Sequence, residues 1–334
     1  MLSNEIKNIK IRLAQKEDQE NIISLLNLVF RNQQHSKNER NDKLWHWKYE
    51  ENVFGKGIII IAENDKRIIA SSSLWPWDFS CCGQELKALQ PCETVVHPDF
   101  QGRGLFYNLN RARLNFSKKE NIDFLFNFPN QNSLNGYLSF GWHFMGKITW
   151  WVKPLKPVRI LSGLFSNGQV VPVAIDNEYS LSQELLCDIS NECQAFNGFI
   201  KIKRSPIFYN WRYSNHPSRK YGMVFVAEGP NTCAGIFTIT QKGKNREMVV
   251  VDIIGPPRFM PELFKKLIQA GKKSEVDFIA VMNNNFYNTQ ELWKYGFIRK
   301  KMKNMVVLPL KIGLAEKLTN FSNWNMVASL HDSI

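Results

Sequence analysis

No stretch of the chain approaches the roughly 18 uninterrupted apolar residues of a membrane span, and Met1 to Lys10 carries Glu5, Lys7 and Lys10 where a secretory leader needs an apolar run. The expectation is a cytoplasmic protein with no membrane span. Cysteine is sparse: positions 81, 82, 92, 187, 193 and 233 form no C-x-x-C pair, and the vicinal Cys81 and Cys82 are poorly placed for a structural disulfide, so reduced thiols are expected. The histidines, at 35, 46, 97, 143, 216 and 331, show neither H-x-H nor H-E-x-x-H spacing, and no metal site is expected. Acidic residues are also short: 30 stand against 43 basic ones, a net charge of +13 that favours an anionic partner such as nucleic acid, anionic lipid or a phosphorylated small molecule. The densest basic cluster is Lys294, Arg299, Lys300, Lys301 and Lys303. It has no helix-turn-helix, zinc-finger or RNA-sheet signature around it, so nucleic acid is not the expected partner.

What the chain does have is length and ordinary globular composition. Its 334 residues, 44% apolar and 22% charged, allow two domains with a core each. Two stretches match in kind and order. Ile122-Asp123-Phe124-Leu125 returns as Val276-Asp277-Phe278-Ile279, Phe140-Gly141-Trp142 as Tyr295-Gly296-Phe297, and Pro154-Leu155 as Pro309-Leu310, at nearly constant separation. Upstream, Trp47-Lys48-Tyr49 returns as Trp211-Arg212-Tyr213 at a slightly larger one. One unit written twice is the simplest reading, with domains at 1–155 and 177–310, a Pro- and Gly-bearing linker at 156–176, and a tail at 311–334.

Periodicity fills in each unit. In the first, Ile11 to Ala14 reads as strand and Glu17 to Phe30 as an amphipathic helix. Ile58 to Ala62, Ile68 to Trp75 and Leu86 to Val96 read as a meander broken at Asn64-Asp65-Lys66 and Cys82-Gly83-Gln84. A helix follows from Gly104, then a strand from Ile122 to Phe128, a short helix from Gln131 to Phe140 and a last strand from Trp142 to Val152. The second unit reads likewise from Leu181 to Leu308, and one more helix is expected around Gly313 to Asn320.

The chemistry concentrates in Val95-Val96-His97-Pro98-Asp99-Phe100-Gln101-Gly102-Arg103-Gly104-Leu105-Phe106, at a strand-to-helix junction. A helix start has unpaired amides and partial positive charge, and glycines there let backbone approach phosphate oxygens. The segment resembles the acyl-CoA signature Q/R-x-x-G-x-G/A of the GNAT superfamily of N-acyltransferases, with Phe106 where most members have Gly or Ala and Gln101 in place of the commoner Arg. The resemblance implies an α/β tandem GNAT fold, each copy a mixed, mostly antiparallel twisted sheet flanked by helices. It implies acetyl-CoA as co-substrate, held by Val95, Val96, Gln101, Gly102, Arg103, Gly104, Leu105 and Phe106, with Asn130 near the pantetheine arm. Tyr137, four residues before Gly141, takes the place of the tyrosine that protonates the departing thiolate.

The acceptor amine must shed a proton before attack, and the strand ahead of the cradle offers Glu93, whose burial in a sheet would raise its pKa and suit it as the base. Asp78 and His97 are poorer candidates. In the second copy the junction reads Ile254-Gly255-Pro256-Pro257-Arg258-Phe259-Met260-Pro261, three prolines without N–H donors, and Leu292 stands at the Tyr137 position. That copy is expected to be a degenerate, structural or acceptor-binding half. The expected acceptor is a small primary amine; an amino sugar or nucleotide-linked sugar is implied by resemblance alone, through features such as Phe128-Pro129-Asn130. Alternatives are a longer acyl chain on the CoA, or a non-catalytic CoA- or nucleic-acid-binding protein.

Overall fold

Alternation of apolar and polar residues turns into strands wherever a tight turn closes it. The computed structural model describes residues 9–31, 40–163, 170–192, 198–229 and 231–331. Ile9–Leu13 (β1), Ile58–Asn64 (β2), Arg67–Cys81 (β3) and Gln84–Val96 (β4) form an antiparallel meander. Its hairpin loops are Asp65-Lys66 and Cys82-Gly83, all four residues at positive φ, the geometry whose twist matches paired strands. β3 continues past the expected end at Trp75 because residues 76–81 keep pairing with β4 as far as that turn. Phe124–Asn127 (β5) and His143–Pro154 (β6) complete the strands of the first half. Its helices are Gln19–Arg31 (α1), Asp42–Trp45 (α2), Leu105–Lys119 (α3) and Gln131–Leu138 (α4).

The expected linker carries structure of its own: a helix, Pro157–Gly163 (α5), and a strand, Val170–Pro172 (β7). The second half supplies Lys201–Ile202 (β8), Tyr221–Glu228 (β9), Asn231–Lys242 (β10), Asn245–Ile254 (β11), Phe278–Met282 (β12) and Ile298–Pro309 (β13). With them come Gln183–Glu192 (α6), Pro206–Tyr209 (α7) and Met260–Lys273 (α8), and a 3-10 segment, Thr289–Tyr295, where a helix was expected. Ala315–Thr319 (α9) is the expected tail helix.

Among the described residues all thirteen strands join one sheet, in the order β1-β2-β3-β4-β5-β13-β6-β12-β11-β10-β7, with β8 on β3 and β9 on β10. The halves exchange their last strands. β13 lies between β5 and β6, and β6 lies against β12. Matching aspartates fasten the exchange: the amides of Leu310 and Lys311 donate to the Asp123 carbonyl at 2.9 and 3.0 Å, and those of Leu155 and Lys156 to the Asp277 carbonyl at 2.8 and 3.1 Å. Each aspartate also accepts at 2.7 Å from a neighbouring strand's amide, Lys87 for Asp123 and Arg246 for Asp277.

One face of the sheet carries a core that runs through both halves, from Trp75, Trp77 and Phe126 to Ile236, Val251 and Met282. Near its centre Trp47 and Trp211 stack at 5.4 Å, and each indole donates to the other's carbonyl, at 2.7 and 2.8 Å. The two lie in equivalent π-turns, His46–Glu50 and Asn210–Ser214. The opposite face is divided: α3 and α4 cover the first half and α8 the second. The tail does more than the one helix expected of it, since Trp324, Met326, Val327, Ala328 and Leu330 are all buried in the shared core.

Candidate functional site: a helix-start cradle and a strand opening

β4 and β5 run parallel but pair only at Ala88 with Phe124 and Leu89 with Leu125. From Gln90 onward β4 keeps its ladder to β3 and, among the described residues, has no strand on its other side. The opening leads to the cradle. After Val96, the His97 amide bonds the Ile69 carbonyl at 2.8 Å, Pro98–Phe100 makes one 3-10 turn, and Gly102 and Gly104, both at φ 74°, turn the chain into α3. A side chain other than glycine's is strained at that φ. Residues 101–104 are exposed and Leu105 is buried, so the first-turn amides of a 15-residue helix face outward with no carbonyl one turn back to receive them. The Gln101 side chain bonds the Val96 carbonyl at 3.2 Å, and the Arg103 guanidinium lies 5.4 Å over the Phe100 ring. Val95 packs into the shared core and Val96 is half-buried.

Phe106, which the signature would have small, leans on α4. A Cβ placed on Gly136 would come within 2.6 Å of the Phe106 ring, so the absence of a side chain there makes room for it. Tyr137 sits behind, 4% exposed, with its ring edge-on to Trp142 at 4.9 Å and its hydroxyl accepting from Asn127 Nδ2 at 2.7 Å. The buried Arg113 guanidinium lies 5.8 Å from the Tyr137 ring centre. Asn130 is the N-cap of α4, its Oδ1 accepting from the Ser133 amide at 3.0 Å. Cradle, opening and Tyr137 thus come together around the ends of β4 and β5.

Glu93 is brought near but into a setting opposite to the expected one. Ser71 pairs with Val95 and Ser73 with Cys92, so Glu93 and Thr94 together oppose Ser72 in a β-bulge with Glu93 at φ 45°. The bulge turns the carboxylate toward Arg40 (3.0 Å), Lys48 (3.6 Å) and the Tyr49 hydroxyl, which donates to it. Burial alone would push the Glu93 pKa up, as expected from sequence; Lys48 and Arg40, with the Tyr49 hydrogen bond, overcome it and hold the group at about 2. The side chain is 8% exposed and ionised at neutral pH, which corrects the raised pKa assumed for a base. Of the poorer candidates, Asp78 lies on β3 toward the far hairpin, its pKa raised by burial, and the His97 ring is held by Arg67 at 2.7 Å and by the Asp99 amide at 3.3 Å.

The Glu93 setting has a consequence for acid stability. A carboxyl depressed from 4.5 to about 2 on folding stabilises the protein above pH 4.5, and that contribution fades as pH falls toward 2. We expect Glu93→Gln to flatten the loss of stability across that acid window. At pH 7 the variant should be less stable by a few kcal/mol, because Arg40 and Lys48 lose a buried counter-charge. Urea midpoints measured from pH 2.5 to 7 test this; parallel curves for the two proteins would show that Glu93 titrates normally.

In the second half Arg204 pairs with Asp252 at 2.6 Å, the Tyr213 hydroxyl donates to Asp252 at 2.8 Å, and a bulge lies beside Asp252. The acid, arginine and tyrosine of the Glu93 setting are all present. The cradle is not. Gly255 is pressed against Thr232 and Cys233, prolines occupy 256, 257 and 261, and Leu292 is buried where the first half has Tyr137. Sequence reasoning missed Arg40, Asn127 and the two acid clusters; the repeated Trp-Lys/Arg-Tyr triplet was the signal that could have found the tyrosines.

Residues 10–145 match the family model described as Acetyltransferase (GNAT) domain. These residues belong to the GNAT family. This domain supports an acyltransferase enzyme, and the mixed sheet of the GNAT architecture is what the strands build. The GCN5-related N-acetyltransferase from Anabaena variabilis superposes with a TM-score of 0.64 at 14% identity, covering 91% of this chain and 74% of that one. A conserved Enterococcus faecalis protein described as a probable N-acyltransferase gives 0.59 at 12% identity, covering 91% and 73%. Saccharomyces cerevisiae N-myristoyltransferase with bound myristoyl-CoA gives 0.52 at 11%, covering 92% and 82%. At these identities the GNAT likeness over both halves is one of fold. No curated protein sequence matches the chain. Among the described residues no helix is long and apolar enough to cross a membrane, and no cluster of three or more His, Cys, Asp or Glu could hold a metal.

Proposed function

We propose that the first half transfers an acetyl group directly from acetyl-CoA to the primary amine of a small acceptor. The observation that carries this reading is the open start of α3, with two left-handed glycines, beside a strand opening backed by a buried tyrosine hydroxyl. In it, the amides of Gly102 to Phe106 hold the diphosphate at the positive end of the helix, with Gln101 and Arg103 beside them. The pantetheine arm runs along the free edge of β4 at Val95 and Val96, with Asn130 near its other side. The amine attacks the thioester carbonyl, and Tyr137 protonates the sulfur as the C–S bond breaks. An amino sugar or nucleotide-linked sugar fits as acceptor in a protein of net charge +13, approaching from the face opposite α3. The second half, 177–310, is read as a degenerate copy that cannot hold CoA but helps enclose the acceptor.

Calorimetric titration with CoA should return one site per chain. Gly104→Pro should abolish it, since proline is confined to φ near −65° and removes an amide from the cradle. Two equivalent sites, or undiminished affinity in a folded Gly104→Pro protein, would overturn the assignment.

A further inference from the structure

The face of the β4–β5 opening away from α3 is bordered by Leu330 and His331. Gln90, one residue beyond the last β4–β5 pair, donates from Nε2 to the Leu330 carbonyl at 3.0 Å. Phe128, immediately after β5, stacks on the His331 ring at 5.3 Å and 20°. This short stretch is therefore tied to both lips of the opening. It is also held from behind: Arg212 donates to the Ser329 carbonyl at 3.0 Å, Asn284 to the Met326 carbonyl at 2.7 Å, and Trp324 is fully buried. Asn127 and Phe128 are consecutive, so their side chains leave the strand end on opposite faces. On one face Asn127 bonds the Tyr137 hydroxyl, and on the other Phe128 meets His331. The Tyr137 phenol and the His331 imidazole are thus reached from opposite faces of one strand end.

The other candidates for a base are poorly suited or lie elsewhere. Glu93 is held at about 2 against burial by Lys48 and Arg40, too weak to deprotonate an ammonium. His216 is depressed to about 2 by burial and by Arg212, Arg219 and Lys48. His97 bridges Arg67 and the Asp99 amide at the cradle loop, His46 sits outside with Glu50, and His143 is exposed. His331 is 5% exposed and, among the described histidines, is the one placed on the acceptor side of the opening.

Resting on the acyl-transfer reading above, we propose that His331 is the base that takes the proton from the acceptor ammonium. The steps balance as follows. The ammonium gives one proton to an imidazole nitrogen of His331, and the freed lone pair forms the N–C bond to the thioester carbonyl. The C–S bond breaks, and sulfur takes the Tyr137 hydroxyl proton. The new amide nitrogen sheds a second proton, which restores the phenol. His331 returns its proton to solvent, so the ammonium and acetyl-CoA leave as amide, CoA thiol and one proton.

An amine that is already neutral needs no base, and this separates a proton acceptor from a structural histidine. CoA thiol release is followed at pH 7 with glucosamine, ethanolamine and lysine, which are largely protonated, and with methoxyamine, which is not. His331→Gln, and His331→Phe, which keeps a ring stacked on Phe128, should lower kcat/KM for the protonated amines by roughly 10²- to 10⁴-fold. The methoxyamine rate should change by only a few-fold. The ratio of the two rates within one variant does not depend on the fraction folded, so a poorly folding variant still reports. Equal losses for both amine types, or no loss, would overturn the role of His331. If at the same time Tyr137→Phe remains impaired, the acyl-transfer reading stands without it. A wild-type protein that transfers to none of these amines would overturn that reading and the inference together.

Discussion

Replacing Tyr137 by phenylalanine should lower turnover by roughly 10²- to 10⁴-fold while leaving CoA affinity nearly unchanged, the range expected when a positioned acid is removed. The geometry makes the substitution a clean one. The ring is held by Trp142 and Phe106 and its hydroxyl accepts a hydrogen bond from Asn127, so a phenyl ring can occupy the same space. The cost in stability is one hydrogen bond at a half-buried asparagine, about 1 kcal/mol, and the melting temperature should fall by a few degrees at most. Pre-steady-state measurement of the chemical step gives the decisive reading. An unchanged rate constant there would reduce Tyr137 to a packing residue.

A fragment of residues 1–160 should not fold. Its sheet lacks β13, which lies between β5 and β6, so β5 would present an unpaired edge through Phe124 to Asn127. β6 would lose the partner that pairs it from His143 to Val152, and Trp47 the carbonyl and ring of Trp211. The shared core would be open where Ile236, Met282 and Trp324 now fill it. We expect no cooperative thermal transition for the fragment, with aggregation through the exposed strand edges. Adding residues 170–331 as a separate chain should restore a transition and CoA binding. A well-folded 1–160 monomer would mean that β6 can fold back to occupy the place of β13.

Most individual elements were legible because each is written in local residues. The hairpin loops Asp65-Lys66 and Cys82-Gly83 sit where turn residues interrupt alternation, and Leu105, Leu109 and Phe116 lay down the inward face of α3. The cradle was legible for the same reason, since left-handed glycines and a helix start are a property of six consecutive residues. Strand exchange was not, because β6 and β13 have the same alternation whichever neighbour they take, and the choice is made by contacts between Asp123, Asp277 and the far half. Glu93 was misjudged because burial is visible in a strand pattern, whereas Arg40 and Lys48 reach it from another element. The run from Trp324 to Leu330 has no period at all, and its burial depends on a cleft that both halves build.

The half without a cradle serves as an internal control for the half with one. On the proposed reading of the second half as a degenerate copy, what the halves share is tied to building the unit and what differs is tied to its chemistry. A bulge with its acid, arginine and tyrosine is present at Asp252, Arg204 and Tyr213, in the half whose helix start has prolines in place of the cradle glycines. The glycines of the cradle and the tyrosine of α4 have no counterparts there: prolines and Leu292 stand at the matching places. By that comparison Glu93 belongs with what the two halves share, a buried fastener between a π-turn and a strand.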